Sequence, residues 1–295
     1  MTEGADARAD APALFASSRR RLFSGRRARV ASWASSIAVV GAVVAVFYLA
    51  PGGSNVRYFF FNPHAMWAAF TGNPAKGILS VGRGILTNIW IFLLCEVLVL
   101  VFGLAIAWVR LSQSPVLFPF RVLSTVYTDV FRGIPILLVF LIVGDATPAL
   151  GLGFLSRQSP AVYGCIALTI TYSAYVAEVY RAGINSVPHG QILAARSLGL
   201  THAATMRRVI LPQAVRTVVP PLLNDFISLQ KDTALLSLLG AVEATRAAQI
   251  YASTEFNFSS YVVASLLFLA MTVPLTRFTD HLIARDRSRR LAGAA

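Results

Sequence analysis

A chain of 295 residues with 56% hydrophobic residues, 13% charged residues and a mean hydropathy of +0.65 is more apolar than a soluble core requires. Its net charge of +13 would suit a nucleic-acid binder, but the basic residues gather at the ends of apolar segments and in the tails rather than along one face. That placement excludes nucleic acid as the partner and points to the lipid bilayer, through the positive-inside rule and the attraction of anionic headgroups.

Six apolar runs approach the roughly 20 residues a helix needs to cross a bilayer, which predicts an all-α, polytopic membrane helix bundle with six transmembrane helices. A basic tail over residues 1–31, carrying Arg19, Arg20, Arg21, Arg26, Arg27 and Arg29, leads into the first run, Trp33 to Ala50. This run exceeds the roughly 7 to 15 residues of a signal-peptide core, so it reads as a retained anchor over residues 32–50. Residues 51–83 are rich in Gly, Pro, Asn and aromatic side chains. Two readings stay open for them: an extracytoplasmic loop with an interfacial stretch around Tyr58 to Phe70, where Trp and Tyr favour the headgroup level, or a linker without structure.

The second run is Thr87 to Val109 and the third Leu117 to Val143, with Pro135 inside it, which is tolerable where neighbouring helices repair the backbone. The fourth is Ala161 to Val179. The fifth, Val209 to Leu229, contains Arg216, Asn224, Asp225 and three prolines and must sit inside the bundle rather than face lipid all round. The sixth is Tyr261 to Leu282, and a tail over residues 286–295 closes the chain. With the N-terminus inside, about 18 Lys and Arg fall on cytoplasmic segments and about six on external ones. The expected location is the cell (inner or plasma) membrane, with both termini cytoplasmic.

Cys95 and Cys165 lie in apolar runs, where a free thiol behaves as a small hydrophobe. His64, His189, His202 and His281 lack ligand spacing, and no nucleophile motif, phosphate loop or internal repeat is present. No catalytic residue, metal or cofactor is expected in this chain, and an enzyme is not.

Between the fourth and fifth runs lies a polar, helix-forming insert, VPHGQILAARSLGLTHAATMRRVILP, from Val187 to Pro212. Pro188 suits a helical first turn, and Ile192, Ala195, Leu198 and Gly199 share one helical face. Gly199 suits a C-terminal cap at positive φ, and Thr201 suits the N-cap of a following helix. The insert therefore reads as two short helices joined by a turn. Ala194, Ala195 and Gly199 would admit a partner surface close to the backbone, while Arg196, Arg207 and Arg208 equally suit a helix lying on headgroups.

The insert resembles the EAA loop of ATP-binding-cassette (ABC) importer permeases: Glu-Ala-Ala, three residues, Gly, nine residues, then Ile-x-Leu-Pro. Ala194, Ala195 and Gly199 match, and Val209, Leu211 and Pro212 fall at the closing positions, whereas Leu193 replaces the glutamate. FRGIPILLVF (131–140), AYVAEVYRAGINSVPHGQ (174–191), ILPQAVR (210–216), PPLLNDFISLQKDTAL (220–235) and EATRAAQI (243–250) are similar to elements of the polar amino acid permeases of the histidine and glutamine uptake type. The similarity spans residues 84–285.

The resemblance implies a type I importer permease with a five-crossing core, to which residues 32–50 are an addition. Two permease chains, identical or sister, would form the pathway. A cytoplasmic ATPase dimer, binding ATP and Mg itself, would dock on the coupling loop (187–212) at Gln191, Ala194, Ala195, Gly199, Leu211 and Pro212. An extracytoplasmic binding protein would deliver a polar amino acid.

Charges within the membrane are costly and point to function. Asp129 with Arg132, and Glu178 with Arg181, stand at i, i+3, so each pair is expected to join along its helix, or to brace or gate the bundle. Asn224 and Asp225 are candidates to line the pathway, with Asp225 and backbone N–H groups meeting an amino acid's two charges; the alternative is an interhelical hydrogen bond of about 0.6 kcal/mol. Lys231 and Asp232 match a K-D/N-T-S-L element, with Ala234 where serine is common, and either shape an external gate or cap a helical turn. A rival class, an ion-coupled secondary transporter or a channel, would not need the small-residue cytoplasmic loop.

Overall fold

The computed structural model describes residues 26–292, with side chains from 30 to 284. Most of the basic N-terminal tail and the end of the C-terminal tail therefore lie outside the described residues. Among those described, every regular element is helical, and the only strand-like pairing is an isolated bridge between Asn73 and Ile78. The chain divides after Phe61 into two compact units.

In the first unit, α1 (Arg26–Leu49) is followed by α2 (Gly53–Phe60). The stretch Val30–Leu49 is apolar and long enough to cross a membrane, and none of it is buried. Trp33, Ile37, Val40 and Val46 all project outward, as expected of an anchor surrounded by lipid. The Arg57 guanidinium of α2 donates to the Phe47 carbonyl and lies 4.5 Å over the Tyr48 ring, fixing the turn between the helices.

The second unit begins with α3 (Pro63–Thr71), started by Asn62, whose side chain accepts from the amides of His64 and Ala65. Residues 51–83 thus hold two α-helices and a 3-10 turn, Pro74–Lys76, and the reading as a structureless linker is replaced. α4 (Val81–Leu111) follows a Ser80 cap. Its buried positions Ile85, Asn88, Phe92, Cys95, Val99, Gly103 and Ala107 recur every three or four residues, while Leu86, Trp90, Leu93, Val97, Leu104 and Trp108 face outward. One stripe meets the protein, and the rest is apolar and exposed, as suits a helix in a bilayer.

The third apolar run is not one straight helix. It forms α5 (Phe118–Gly133) and α6 (Ile136–Ala149), bent by 111° at the break. Pro135 has no N–H and forces the preceding Ile134 into extended backbone (ψ 132), which ends α5 at Gly133. α7 (Pro160–Asn185) is the hub, packing on α4, α5, α6 and on α10 (Leu211–Asp232). The insert holds α8 (His189–Ser197), α9 (His202–Thr205) and a π turn, Met206–Ile210. After α10 come a 3-10 segment, Thr233–Leu239, then α11 (Ala244–Glu255) and α12 (Ser259–Ala292).

By length and composition, four described helices qualify as spans, or five if the bent pair is counted as one. α10, the fifth predicted run, has the length at 22 residues but is too polar to qualify; α7, α12 and α4 shield it.

Lipid tails are as apolar as leucine, so helix association here rests on close packing. One cluster joins Phe92, Cys95 and Val99 of α4 to Phe140, Leu168, Tyr172, Val176 and Leu229, and Val176 fills the notch left by Gly103. The free thiols of Cys95 and Cys165 meet at 2.9 Å across α4 and α7. A second cluster, rich in alanine, joins α3, α4, α11 and α12. Between them, fully buried Asn88 donates to Thr233 Oγ1 and to Glu243 Oε2 and accepts from the Ala244 amide, while the Glu243 carboxylate caps α11 through the amides of Thr245 and Arg246.

Candidate functional site

The break at Pro135 turns the chain across the faces of α7 and α10 and opens two adjoining clefts there. One, of about 510 Å³, is lined by the bend, by Thr171, Tyr172 and Tyr175 of α7, and by Asp225, Ser228, Lys231 and Asp232 of α10. The other, of about 440 Å³, continues along Glu178, Gly183, Thr217 and Pro221. Arg132, Tyr175 and Asp225 belong to both.

The polar groups are of two kinds. Some are engaged: Tyr172 Oη donates to Asp232 Oδ2 at 2.7 Å, Tyr175 Oη donates to the Arg132 carbonyl at 3.3 Å, and the Arg132 guanidinium lies 5.9 Å from the centre of the Tyr175 ring. Others have no partner: Asp225 Oδ2 and Thr171 Oγ1 are buried without a hydrogen bond. The bend adds backbone polarity. Ile136 and Leu137 begin α6, so their amides lack helical acceptors and form the positive end of its dipole. On α10, Pro221 deprives the Thr217 carbonyl of its helical donor. The clefts thus offer a carboxylate, a hydroxyl, helix-end amides and a carbonyl beside aromatic rings.

At the far end of α7, Glu178 accepts at 2.9 Å from both Arg110 Nη1 of α4 and Arg181 Nε. The expected Glu178–Arg181 pair is present, and Arg110 enlarges it into a clamp between two helices. The expected Asp129–Arg132 pair is not formed. Asp129 is exposed, and Arg132 turns to the Tyr175 ring instead, because α5 ends one residue later and its last turn lies over α7. Asn224 is also displaced from its expected role: it is exposed and lines neither cleft, being rotated about 100° round α10 from Asp225. Lys231 lines the larger cleft and a third one, of about 420 Å³, against α12.

The insert forms as its local chemistry predicts. Gly199 has φ +81; its amide donates to Arg196 O and that of Leu200 to Ala195 O, the double bond of a Schellman cap. Thr201 caps α9 through the Ala204 amide. Pro188 sits at the N-cap, one position before the helical turn expected to hold it. Of the predicted face only Ala195 is buried; Leu198 is 84% exposed, and Leu193 and Leu211 are exposed beside Ala194, Gly199 and Pro212. The ring of Pro212 would clash with the Arg208 carbonyl in a regular helix. The π turn removes that conflict, Leu211 donating instead to Met206 O. Gln213 then donates to Gln191 Oε1 at 2.7 Å and to Val209 O at 2.9 Å, tying α8 to the start of α10.

A sequence model of the binding-protein-dependent transport system inner membrane component family matches residues 100–288. The chain belongs to that family. It is 37% identical over 186 residues to a probable glutamine ABC transporter permease of Bacillus subtilis, GlnM, covering 63% of this chain and 83% of that one. It is 34% identical over 207 residues to GlnP of the same organism, covering 69% and 92%. A solved amino acid ABC transporter, determined with histidines, superposes with a TM-score of 0.64 at 33% identity over 70% of this chain and 93% of that one. The MetNI methionine transporter in an inward-facing form shares the fold, with a TM-score of 0.59 at 18% identity over 73% and 99%. The helical architecture of the second unit is therefore that of the ABC importer permeases.

Sequence reasoning did not single out Arg110, Thr171, Tyr172, Tyr175 or Gln213. Arg110 and Gln213 sit at helix ends and gave no pairing signal. The α7 residues read as part of an apolar run, and only the packing of three helices reveals which of them face a cleft.

Proposed function

We propose that this chain is the membrane-spanning permease subunit of an ABC importer, conducting a polar amino acid through the cell membrane with both termini in the cytoplasm. The observation that carries this reading is the continuity of α10. The helix starts at Leu211 and Pro212, inside the exposed insert, and brings Asp225 to the cleft about 21 Å further along at 1.5 Å per residue. A push on the insert is a push on the cleft wall.

At the insert, a cytoplasmic ATPase dimer docks on Ala194, Gly199 and the exposed Leu193 and Leu198, with the Gln191–Gln213 bond and Leu211–Pro212 passing its motion to α10. Leu193, in place of the motif's glutamate, makes the contact apolar. ATP and Mg are bound, and ATP is hydrolysed, on that partner. In the cleft, Asp225 meets the substrate ammonium, while the amides at the start of α6, with Arg132 and Lys231 near, meet its carboxylate. The Glu178 clamp braces α4 against α7. A second permease chain completes the pathway and an extracytoplasmic binding protein delivers the amino acid. Closure of the ATPase dimer switches the pair of permeases between inward and outward states as rigid elements.

The test is uptake of radiolabelled amino acids into proteoliposomes carrying the permease, its ATPase and its binding protein. Uptake should require ATP, stop with orthovanadate and survive collapse of ion gradients. Uptake that follows an ion gradient and ignores ATP would establish the rival class.

A further inference from the structure

Seven buried side-chain nitrogen and oxygen atoms lack a hydrogen-bond partner among the described residues. Two of them, Thr171 Oγ1 of α7 and Asp225 Oδ2 of α10, line the same cleft, whereas the other five line neither that cleft nor its two neighbours. A buried polar atom left unpaired is costly, and two such atoms on packed helices mark a place that an occupant fills. The substrate ammonium accounts for Asp225. Thr171 still has no task.

Thr171 is 2% exposed and stands four residues before Tyr175, on the same face of α7 and about 6 Å along its axis. Tyr175 donates to the Arg132 carbonyl, so Thr171 lies one helical turn from the residue that holds the bend. The ionisable groups lining the cleft balance, Arg132 and Lys231 against Asp225 and Asp232. The ammonium and carboxylate of a bound amino acid balance as well. A charged side chain would therefore bring one charge in excess into a site within the bundle, where uncompensated charge is costly. A wholly apolar side chain would leave the Thr171 hydroxyl unpaired. A neutral polar side chain avoids both costs, because it exchanges hydrogen bonds with a hydroxyl without adding charge.

We propose that Thr171 selects the substrate by its side chain, and that the pathway takes amino acids whose side chain is neutral and hydrogen-bonding. A carboxamide fits best, since it offers both a donor and an acceptor. The Thr171 hydroxyl accepts from the carboxamide N–H or donates to its oxygen, while Asp225 and the start of α6 hold the main-chain charges. This rests on the reading of the cleft as an amino acid's path, and it adds the residue that reads the side chain.

L-Glutamine, L-glutamate and L-homoleucine test it, because their side chains have nearly one shape and end in a carboxamide, a carboxylate and an isopropyl group. The assembled complex in nanodiscs, without binding protein, is titrated with each. Glutamine should bind at least about tenfold more tightly than either of the others. Thr171→Val keeps the shape and removes the hydroxyl; it should bring glutamine to within about threefold of homoleucine and leave its lead over glutamate. Thr171→Ser should keep both leads. Glutamate or homoleucine binding as tightly as glutamine to the unsubstituted complex, a comparison that needs no variant to fold, would overturn the neutral polar class and leave the amino acid path standing. A lead over homoleucine kept in Thr171→Val would overturn the role of Thr171. Binding of none of the three, with no ATP-driven uptake of any amino acid, would overturn both the class and the path.

Discussion

Residues 187–212 take their shape from near neighbours in sequence, whereas the cleft around Asp225 draws on α5, α7 and α10 and exists only where those helices meet. In the insert, Gly199 ends one helix, Thr201 starts the next and Pro212 sets the π turn, each acting within a few residues. In the cleft, Arg132 is aimed by Tyr175, Asp232 is held by Tyr172, and Asp225 is left open. A coupling element has to offer a surface that a partner recognises wherever the bundle moves, so local determination suits it. A translocation site has to change when helices shift, so it suits a site assembled from several of them.

Substitutions that act on one region and spare the other sharpen this contrast. The largest effect is expected at Gly183, where an added Cβ would run into the Val218 side chain of α10. Gly183→Val should destabilise the second unit by about 3 kcal/mol through overpacking, read as a marked drop in the melting temperature of the detergent-solubilised chain. Retained stability would mean that α7 and α10 are not held this closely.

Glu178→Ala comes next. It leaves Arg110 and Arg181 without their shared carboxylate, with side chains 11% and 33% exposed, and should cost about 2 kcal/mol, given partial access to water. Glu178→Gln should cost less, because it keeps hydrogen-bond acceptance. Neither should weaken docking of the isolated ATPase if the insert forms locally.

Gly199→Ala places a Cβ at φ +81, which should cost about 1 kcal/mol, with space around the new atom. The expected readout is ATPase affinity roughly fivefold weaker, with stability elsewhere unchanged. The smallest effect is expected from Gln213→Leu, which removes an exposed bond to Gln191 and a part-buried one to Val209, together worth about 0.5 to 1 kcal/mol. It should lower substrate moved per ATP hydrolysed while both docking and substrate binding persist.

Legibility in the sequence follows the same division. The caps at Gly199 and Thr201 could be read because the requirement for positive φ and for a side-chain acceptor is local. The exposure of Leu198 could not, since a helical face does not say whether anything covers it. Pro135 was visible, but its consequence was read as a kink that neighbours repair, whereas the chain turns by 111° and builds a wall of the cleft. Asp225 was legible as a charge in a membrane. Its separation from Asn224 and the diversion of Arg132 from Asp129 to Tyr175 were not, because each depends on which residues a distant helix presents. Glu178–Arg181 was legible as a pair within one helix, and Arg110, from another, was not.

The central claim is that α10 joins an ATPase-docking insert to a cleft in which Asp225 meets the substrate. Substrate-stimulated ATP hydrolysis by a normally assembled complex carrying Asp225→Ala tests it most directly. The account predicts that stimulation and uptake fall by at least about tenfold, since a charge-assisted contact of about 1.5 to 3 kcal/mol is lost. Stimulation and uptake equal to those of the unsubstituted complex would contradict it.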